Sequence, residues 1–235
     1  MTDASVTTGE IAAKADPRTR RPAEEREAQI IEAAFTAFAA NGLDETRLED
    51  IARLAGVAKG TIYLYFPNKE ALFREMITRT VVVRLDALES APRTGDALAD
   101  FNRIVRTYWQ YVNEPKFPVL HRLVSSVLPR LPELQQFFSE RVSLRWQRLL
   151  QGCIDACVAD GVFGVEQAPQ SARMLHALMM QHALMRANPT ICNAIHLQDA
   201  DAVMDRVISF FHAAMRPAGN SSAHLHGHAT QSRIS

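Results

Sequence analysis

The sequence has no apolar run approaching the roughly 18 residues that a bilayer-crossing helix needs. Its opening stretch, Met1 to Arg26, is polar and charged and lacks the apolar h-region of a secretory signal. No membrane association is therefore expected. Cysteine is sparse: Cys153, Cys157 and Cys192 form an odd, scattered set that does not read as a disulfide framework. The expected compartment is a reducing cytoplasm. An excess of charge of one sign is also missing, since Lys+Arg and Asp+Glu both number 26. Nucleic-acid binders usually carry a basic excess, so any basic surface in this chain must be local. A glycine-rich phosphate loop, a nucleophile elbow, paired metal-ligand motifs and a catalytic triad are all absent, which argues against an enzyme and against a cofactor. His224-x-His226-x-His228 has chelating spacing, but no carboxylate or thiol stands beside it, so no metal is expected.

What the chain does have is helical periodicity. At 235 residues with 47% hydrophobic content, it suits one compact unit plus a larger partner domain. Residues 1–21 are polar and end in Arg18, Arg20 and Arg21, which reads as a disordered basic arm. A helix then starts near Pro22, with Ile30, Ile31, Ala34, Phe35 and Phe38 at helical spacing and Asn41-Gly42 as its stop. Thr46-x-x-Glu49 is a capping-box pattern opening a short helix that Gly56 ends. Thr61 to Phe66 resembles a strand by propensity, since β-branched and aromatic residues dominate it. Lying between a helix stop and the new helix start at Pro67-Asn68, with no strand to pair with, it is expected to be a short helix.

Further helices are expected over about 68–91, 98–112, 118–128, 132–160, 169–187 and 199–215, and residues 216–235 read as a disordered tail. The fold class is all-α: an N-terminal three-helix helix-turn-helix domain over 22–68 and a larger helical domain over 92–215, joined by a linking helix to about residue 91.

The front of the chain carries an ordered set of residues: Arg26-x3-Ile30, Ala33-Ala34, Phe38, Gly42, Thr46, Ile51-Ala52, Ala55-Gly56-Val57, Lys59-Gly60-Thr61-Ile62-Tyr63, Tyr65-Phe66, Lys69-Glu70 and Leu72. In order and spacing, over about residues 24–73, this run resembles the TetR/AcrR family of transcriptional regulators. The resemblance implies a DNA-binding helix-turn-helix, a linking helix, and a C-terminal helical domain that serves as dimer interface and ligand pocket. It implies a homodimer on an inverted-repeat operator in double-stranded DNA, released by a small effector, with repression commoner than activation. Two positions depart from the family pattern. Ala58 replaces a common capping serine, and Arg47 replaces a common second threonine.

On this reading, the recognition helix from Lys59 to Phe66 enters the major groove, where every base pair presents a distinct edge. Gly60 permits close backbone approach. Lys59 and Thr61 donate to bases or phosphates, and Leu64 meets a thymine methyl. Tyr63 and Lys69 resemble the family's phosphate contacts, and Tyr65 is either a contact or core. Thr46 and Arg47 sit at a helix N-terminus, where free N–H groups favour a phosphate. Ile62 and Phe66 are expected to point inward.

In the larger domain, Trp109, Phe117, His121, Phe138, Trp146, Met179 and His182 are the candidate ligand residues, with plain core packing as the alternative for each. Leu175, Leu178, His182 and Met185, together with Val203, Val207, Phe210 and Ala214, repeat at helical steps that suit a four-helix dimer interface or, alternatively, an intrachain core. Cys153 and Cys157, four apart, read as buried structural cysteines. A helical adaptor protein remains as a rival function, and sequence-specific DNA retention separates it from a regulator.

Overall fold

The computed structural model describes residues 17–164, 168–188 and 199–217, with the side chains of 17–22 and 165–169 left out of the description. No strand occurs among the described residues. The chain divides into two compact units, Met1–Met76 and Ile77–Ser235. Most of the expected arm, the histidine tail and Cys192 lie outside the described residues.

In the first unit, α1 (Pro17–Glu45), α2 (Leu48–Leu54), α3 (Lys59–Tyr65) and the start of α4 (Lys69–Ile77) enclose one small core. Helix α1 begins at Pro17 rather than near Pro22, so residues 17–21, expected in the arm, are helical. Pro17 supplies a first-turn residue with a helix-compatible φ, and the arginines and alanine that follow form helices readily. The helix breaks at Gly42, whose φ of 76° places it in the left-handed region, and resumes for a few residues to Glu45. Ile30, Phe38, Ile51, Ile62, Leu72 and Phe73 are sealed from solvent, with the Phe38 and Phe73 rings edge to face at 6.0 Å.

The turn between α2 and α3 follows from Gly56. Gly56 N–H donates to the Arg53 carbonyl at 3.2 Å and Val57 N–H donates to the Ala52 carbonyl at 2.9 Å. That double closure requires a left-handed residue in between, and Gly56 has φ 67°. The chain is thereby turned within a few residues so that α3 packs across α2. The expected capping box does not form. Arg47, extended in backbone, is the N-cap of α2 with no side-chain cap, and the Thr46 hydroxyl donates instead to the Gly42 carbonyl at 2.6 Å.

In the second unit, a π-helical segment (Thr78–Val82) leads into α5 (Val83–Ser90). Then come α6 (Ala97–Val112), α7 (Phe117–Val127) with a 3₁₀ turn (Leu128–Arg130), α8 (Pro132–Phe138), a second π segment (Ser139–Ser143), α9 (Leu144–Ala159), α10 (Ala168–Arg186) and α11 (Ala200–Ala214). The single long helix expected over 132–160 is thus interrupted by a π segment. Helices α6 and α11 start on aspartate caps: Asp96 accepts from Ala99 N–H at 2.9 Å and Asp199 from Ala202 N–H at 3.0 Å. Phe101, Ile104, Val105, Trp109, Ile154, Cys157 and Met179 form the centre of this unit's core. Cys153 and Cys157 are buried free thiols, and burial pushes the Cys157 thiol up to about 11.

The stripe expected at a dimer interface splits in two. Leu175, Val203 and Val207 are spent in this chain's own core, where they pack against α6 and α9. Leu178 and Phe210, with Met174, stay exposed.

Candidate nucleic-acid interface and ligand cavity

The amphipathic pattern of α3 decides which of its side chains can meet a partner. Ile62 is fully buried and Phe66 nearly so, and these two anchor the helix to the core. The opposite face carries Lys59, Gly60, Tyr63 and Leu64, all exposed, with Leu64 85% accessible. Thr61 and Tyr65 are half-buried at the flanks, and the Tyr65 ring is tilted against Phe66 at 6.3 Å. Helix α3 starts at Ala58 without a side-chain cap, so its first N–H groups carry no side-chain acceptor.

One acidic residue organises this face, and the sequence reading gives it only as part of a capping box. Glu49, on α2, accepts from Lys59 Nζ at 2.8 Å and from the Tyr63 hydroxyl at 3.1 Å, both through Oε1. The Lys59 ammonium, then the backbone N–H and the Tyr63 hydroxyl, hold the Glu49 carboxyl at about 2. The signal was present as the spacing of an acid on one helix and a lysine and tyrosine on the next. Reading it required knowing how α2 and α3 cross.

Arg47 is exposed, with its side chain free to reach outward. Lys69 is half-buried and donates to the Asp44 carbonyl at 2.6 Å, which fixes its ammonium at the edge of the unit. Thr46 is corrected. At 3% accessibility, with its hydroxyl directed to the Gly42 carbonyl, it closes the α1–α2 turn and presents nothing to a phosphate.

The second unit holds a cavity of about 970 Å³, walled by α5 to α10. Of the expected ligand residues, Phe117, His121, Phe138 and Trp146 line it. Trp109, Met179 and His182 do not. Trp109 is sealed, with Nε1–H donating to the Ala200 carbonyl at 3.0 Å and its ring stacked on His182 at 5.5 Å. Met179 is completely buried in the core. Trp109 is on the face of α6 that meets the start of α11, and helical spacing alone does not distinguish that face from the cavity face. The sequence reading missed Tyr108, Tyr111, His176, Arg84 and Arg103, all on the wall.

The wall's electrostatics are muted. The Arg84 guanidinium pairs with Glu114 and lies 4.8 Å above the Tyr111 ring. Arg103 pairs with Asp100 at 3.1 Å. Burial lowers the His121 and His176 imidazoles, which keeps them neutral near pH 7, and raises the Tyr108 and Tyr111 phenols. Below the cavity, Arg145 on α9 binds both Asp86 and Glu89, clamping α5 to α9.

Two family patterns match this chain: bacterial regulatory proteins of the tetR family over residues 30–76, and the AefR-like transcriptional repressor C-terminal domain over residues 99–217. The second covers more than half of the chain. The protein belongs to the TetR family. Both patterns are those of transcriptional regulators, and the chain spans about 60% of the length of the first curated relatives it matches. The HTH-type transcriptional regulator TtgR of Pseudomonas putida is 34% identical over 131 residues, a match spanning 56% of this chain and 60% of that relative. Among solved structures, the fatty acid degradation regulator FadR from Bacillus halodurans has a TM-score of 0.58 at 24% identity, covering 85% of this chain and 96% of FadR. FadR from Bacillus subtilis, solved with stearoyl-CoA, has a TM-score of 0.56 at 20% identity, covering 80% of this chain and 99% of that one. At these identities the structures show a shared fold. No helix among the described residues of this TetR regulator is long and apolar enough to cross a membrane.

Proposed function

We propose that this TetR-family protein is a repressor that binds an inverted-repeat operator as a homodimer and releases it when a small, mostly apolar effector occupies the cavity. The carrying observation is the exposed face of α3, where Lys59, Gly60, Tyr63 and Leu64 stand opposite the buried Ile62 and Phe66. That face offers donors and an apolar contact to base edges while the helix itself stays anchored. Arg47 and Lys69 flank it as phosphate donors. Dimerisation is supported by Met174 (63% accessible) and Leu178 on α10 and Phe210 (68%) on α11, apolar surface that a second copy would cover. The effector reading is supported by the cavity and its lining.

A two-fold dimer sets its recognition helices in successive major grooves about 34–36 Å apart, or a multiple of this. The test is selection of bound fragments from genomic DNA with purified protein, followed by footprinting. Inverted repeats with that half-site spacing, occluding a promoter, are the expected result. Direct repeats, or a monomer in sedimentation at micromolar concentration, overturn the dimer. Sites upstream of a promoter that raise transcription would make the protein an activator of the same fold.

A further inference from the structure

We propose that the cavity takes an uncharged ligand of two or three aromatic rings bearing both hydroxyl and carbonyl groups, stacked along the Trp146–Tyr108 pair and hydrogen-bonded to tyrosine and histidine on the wall. The inference deepens the effector half of the proposed function and rests on it.

Rings set the shape. Trp146 and Tyr108 lie stacked at 4.0 Å and 27°, and His176 continues from Tyr108 at 5.5 Å. Tyr111 stands 6.4 Å from Tyr108, Phe117 5.2 Å beyond it edge to face, and His121 6.1 Å from Phe117. A wall built as a run of rings favours flat aromatic surface, which gains offset-stacked and edge contacts beyond its area burial. An acyl chain would gain the burial alone.

Unpartnered polar atoms set the functional groups. The hydroxyls of Tyr108 and Tyr111 and the imidazoles of His121 and His176 make no hydrogen bond among the described residues, although all four line the cavity. The Trp146 indole N–H is likewise buried without a partner, in a side chain only 7% accessible. Native interiors leave few such groups unpaired. The phenols are held protonated and so donate to a carbonyl or ether oxygen. The neutral imidazoles each keep one accepting nitrogen for a ligand hydroxyl. A ligand with both kinds of group therefore satisfies both kinds of wall residue.

Charge sets the exclusion. Arg84 and Arg103 already have carboxylate partners, and the wall's single acid, Glu114, is itself paired with the Arg84 guanidinium. Arg173 is left, and it is exposed, where its guanidinium stays solvated. A nucleotide polyanion finds no set of free cations on this wall, and an organic cation finds no free carboxylate. The same fold holds stearoyl-CoA in Bacillus subtilis FadR, so the selectivity argued here lies in side chains.

The chain has two tryptophans, Trp146 on the wall and Trp109 away from it, so fluorescence reports the site directly. The probe is 4,4′-dihydroxybenzophenone, titrated into the full-length dimer against diphenylmethane, palmitoyl-CoA and tetraphenylphosphonium. The expected result is saturable quenching by the dihydroxyketone at least tenfold tighter than by diphenylmethane, and no comparable response to either charged probe. The quenching should vanish in Trp146→Phe and persist in Trp109→Phe. Tyr108→Phe, which keeps the ring, should weaken binding about 5- to 15-fold, the size of one lost hydrogen bond. The proposal is overturned if no probe binds, if a charged probe binds as tightly, or if Tyr108→Phe binds unchanged. Operator retention is measured on the same preparation without ligand. Its loss would count against the regulator reading, whereas a failed titration with intact retention removes only the ligand class.

Discussion

The two units treat their polar residues in opposite ways. In Met1–Met76 the interior is filled, and the groups that matter chemically stand on the outside, already tied to one another: Lys59 and Tyr63 to Glu49, and Lys69 to Asp44. In Ile77–Ser235 the interior holds a cavity of about 970 Å³, lined by Tyr108, Tyr111, His121 and His176, whose polar atoms make no hydrogen bond among the described residues. A surface that must fit one fixed shape, a base-pair edge, gains from groups held in place before contact. A pocket that must change state on binding gains from groups whose partners arrive with the ligand.

The strongest way to break this contrast is to hollow out the filled unit. Ile62→Ala removes a fully buried side chain beneath α3 and should cost about 2–5 kcal/mol. Thermal unfolding followed by circular dichroism should show the loss, and operator binding should fall with it. Unchanged stability would mean that α3 is not anchored by its inner face. In the larger unit, Trp109→Phe strands the Ala200 carbonyl and should cost about 1–3 kcal/mol, read in the same way. Operator affinity at a temperature where the variant is folded should not change.

Acid should separate the units next. Burial lowers His121, His176, His182 and His212 from 6.5, so below that value the unfolded chain takes up protons that the folded larger unit resists. Stability is therefore complete above about pH 6.5 and declines as pH falls through the depressed values. Glu49 behaves differently. Its contribution is present above 4.5 and is lost only as pH approaches about 2, so the contacts to Lys59 and Tyr63 persist at pH 4. Carboxyl and imidazole shifts followed by NMR titration check both. A Glu49 midpoint near 4.5 would remove the ion pair from solution.

Subtler effects should come from the surface of α3. Glu49→Gln frees Lys59 and removes a negative charge from the face proposed to meet DNA, so non-specific affinity should rise about 3- to 10-fold, with a steeper dependence on salt. Equal salt slopes for the two proteins would show that Glu49 does not restrain Lys59. The smallest change expected is from Ala58→Ser, which supplies the missing cap of α3 and should add about 0.5–1 kcal/mol of stability.

Where the sequence was informative, a local rule sufficed. Gly56 and Gly42 marked turns because their positive φ is a property of the residue itself. Ile62 and Phe66 were identifiable as inward because helical spacing sets them on one face. Thr61 to Phe66 looked like a strand by composition, yet its neighbours left it no partner to pair with. The failures concern residues whose role depends on what packs opposite. Thr46 fitted a capping box, but its hydroxyl donates to the Gly42 carbonyl and Arg47 occupies the N-cap position. Trp109 and Tyr108 are adjacent on α6, and their spacing made Trp109 the natural pocket candidate. The docking of α11 over Trp109 reversed that, and no periodicity within α6 records it.

The π segment at Ser139–Ser143 carries a consequence for how this cavity can diverge. A π turn is an α-helix with one residue added, absorbed without breaking the helix. Removing a single residue there would restore the ordinary winding and delete one side chain of the segment, while Phe138 and Trp146 keep nearly their present relation about the helix axis. Val142 and Ser143, on the segment itself, line the wall, so one codon lost at this point would re-tile that strip of the cavity while leaving the helices on either side intact. Length changes, which usually damage a helical core, are here a route by which descendants of this chain change what they recognise.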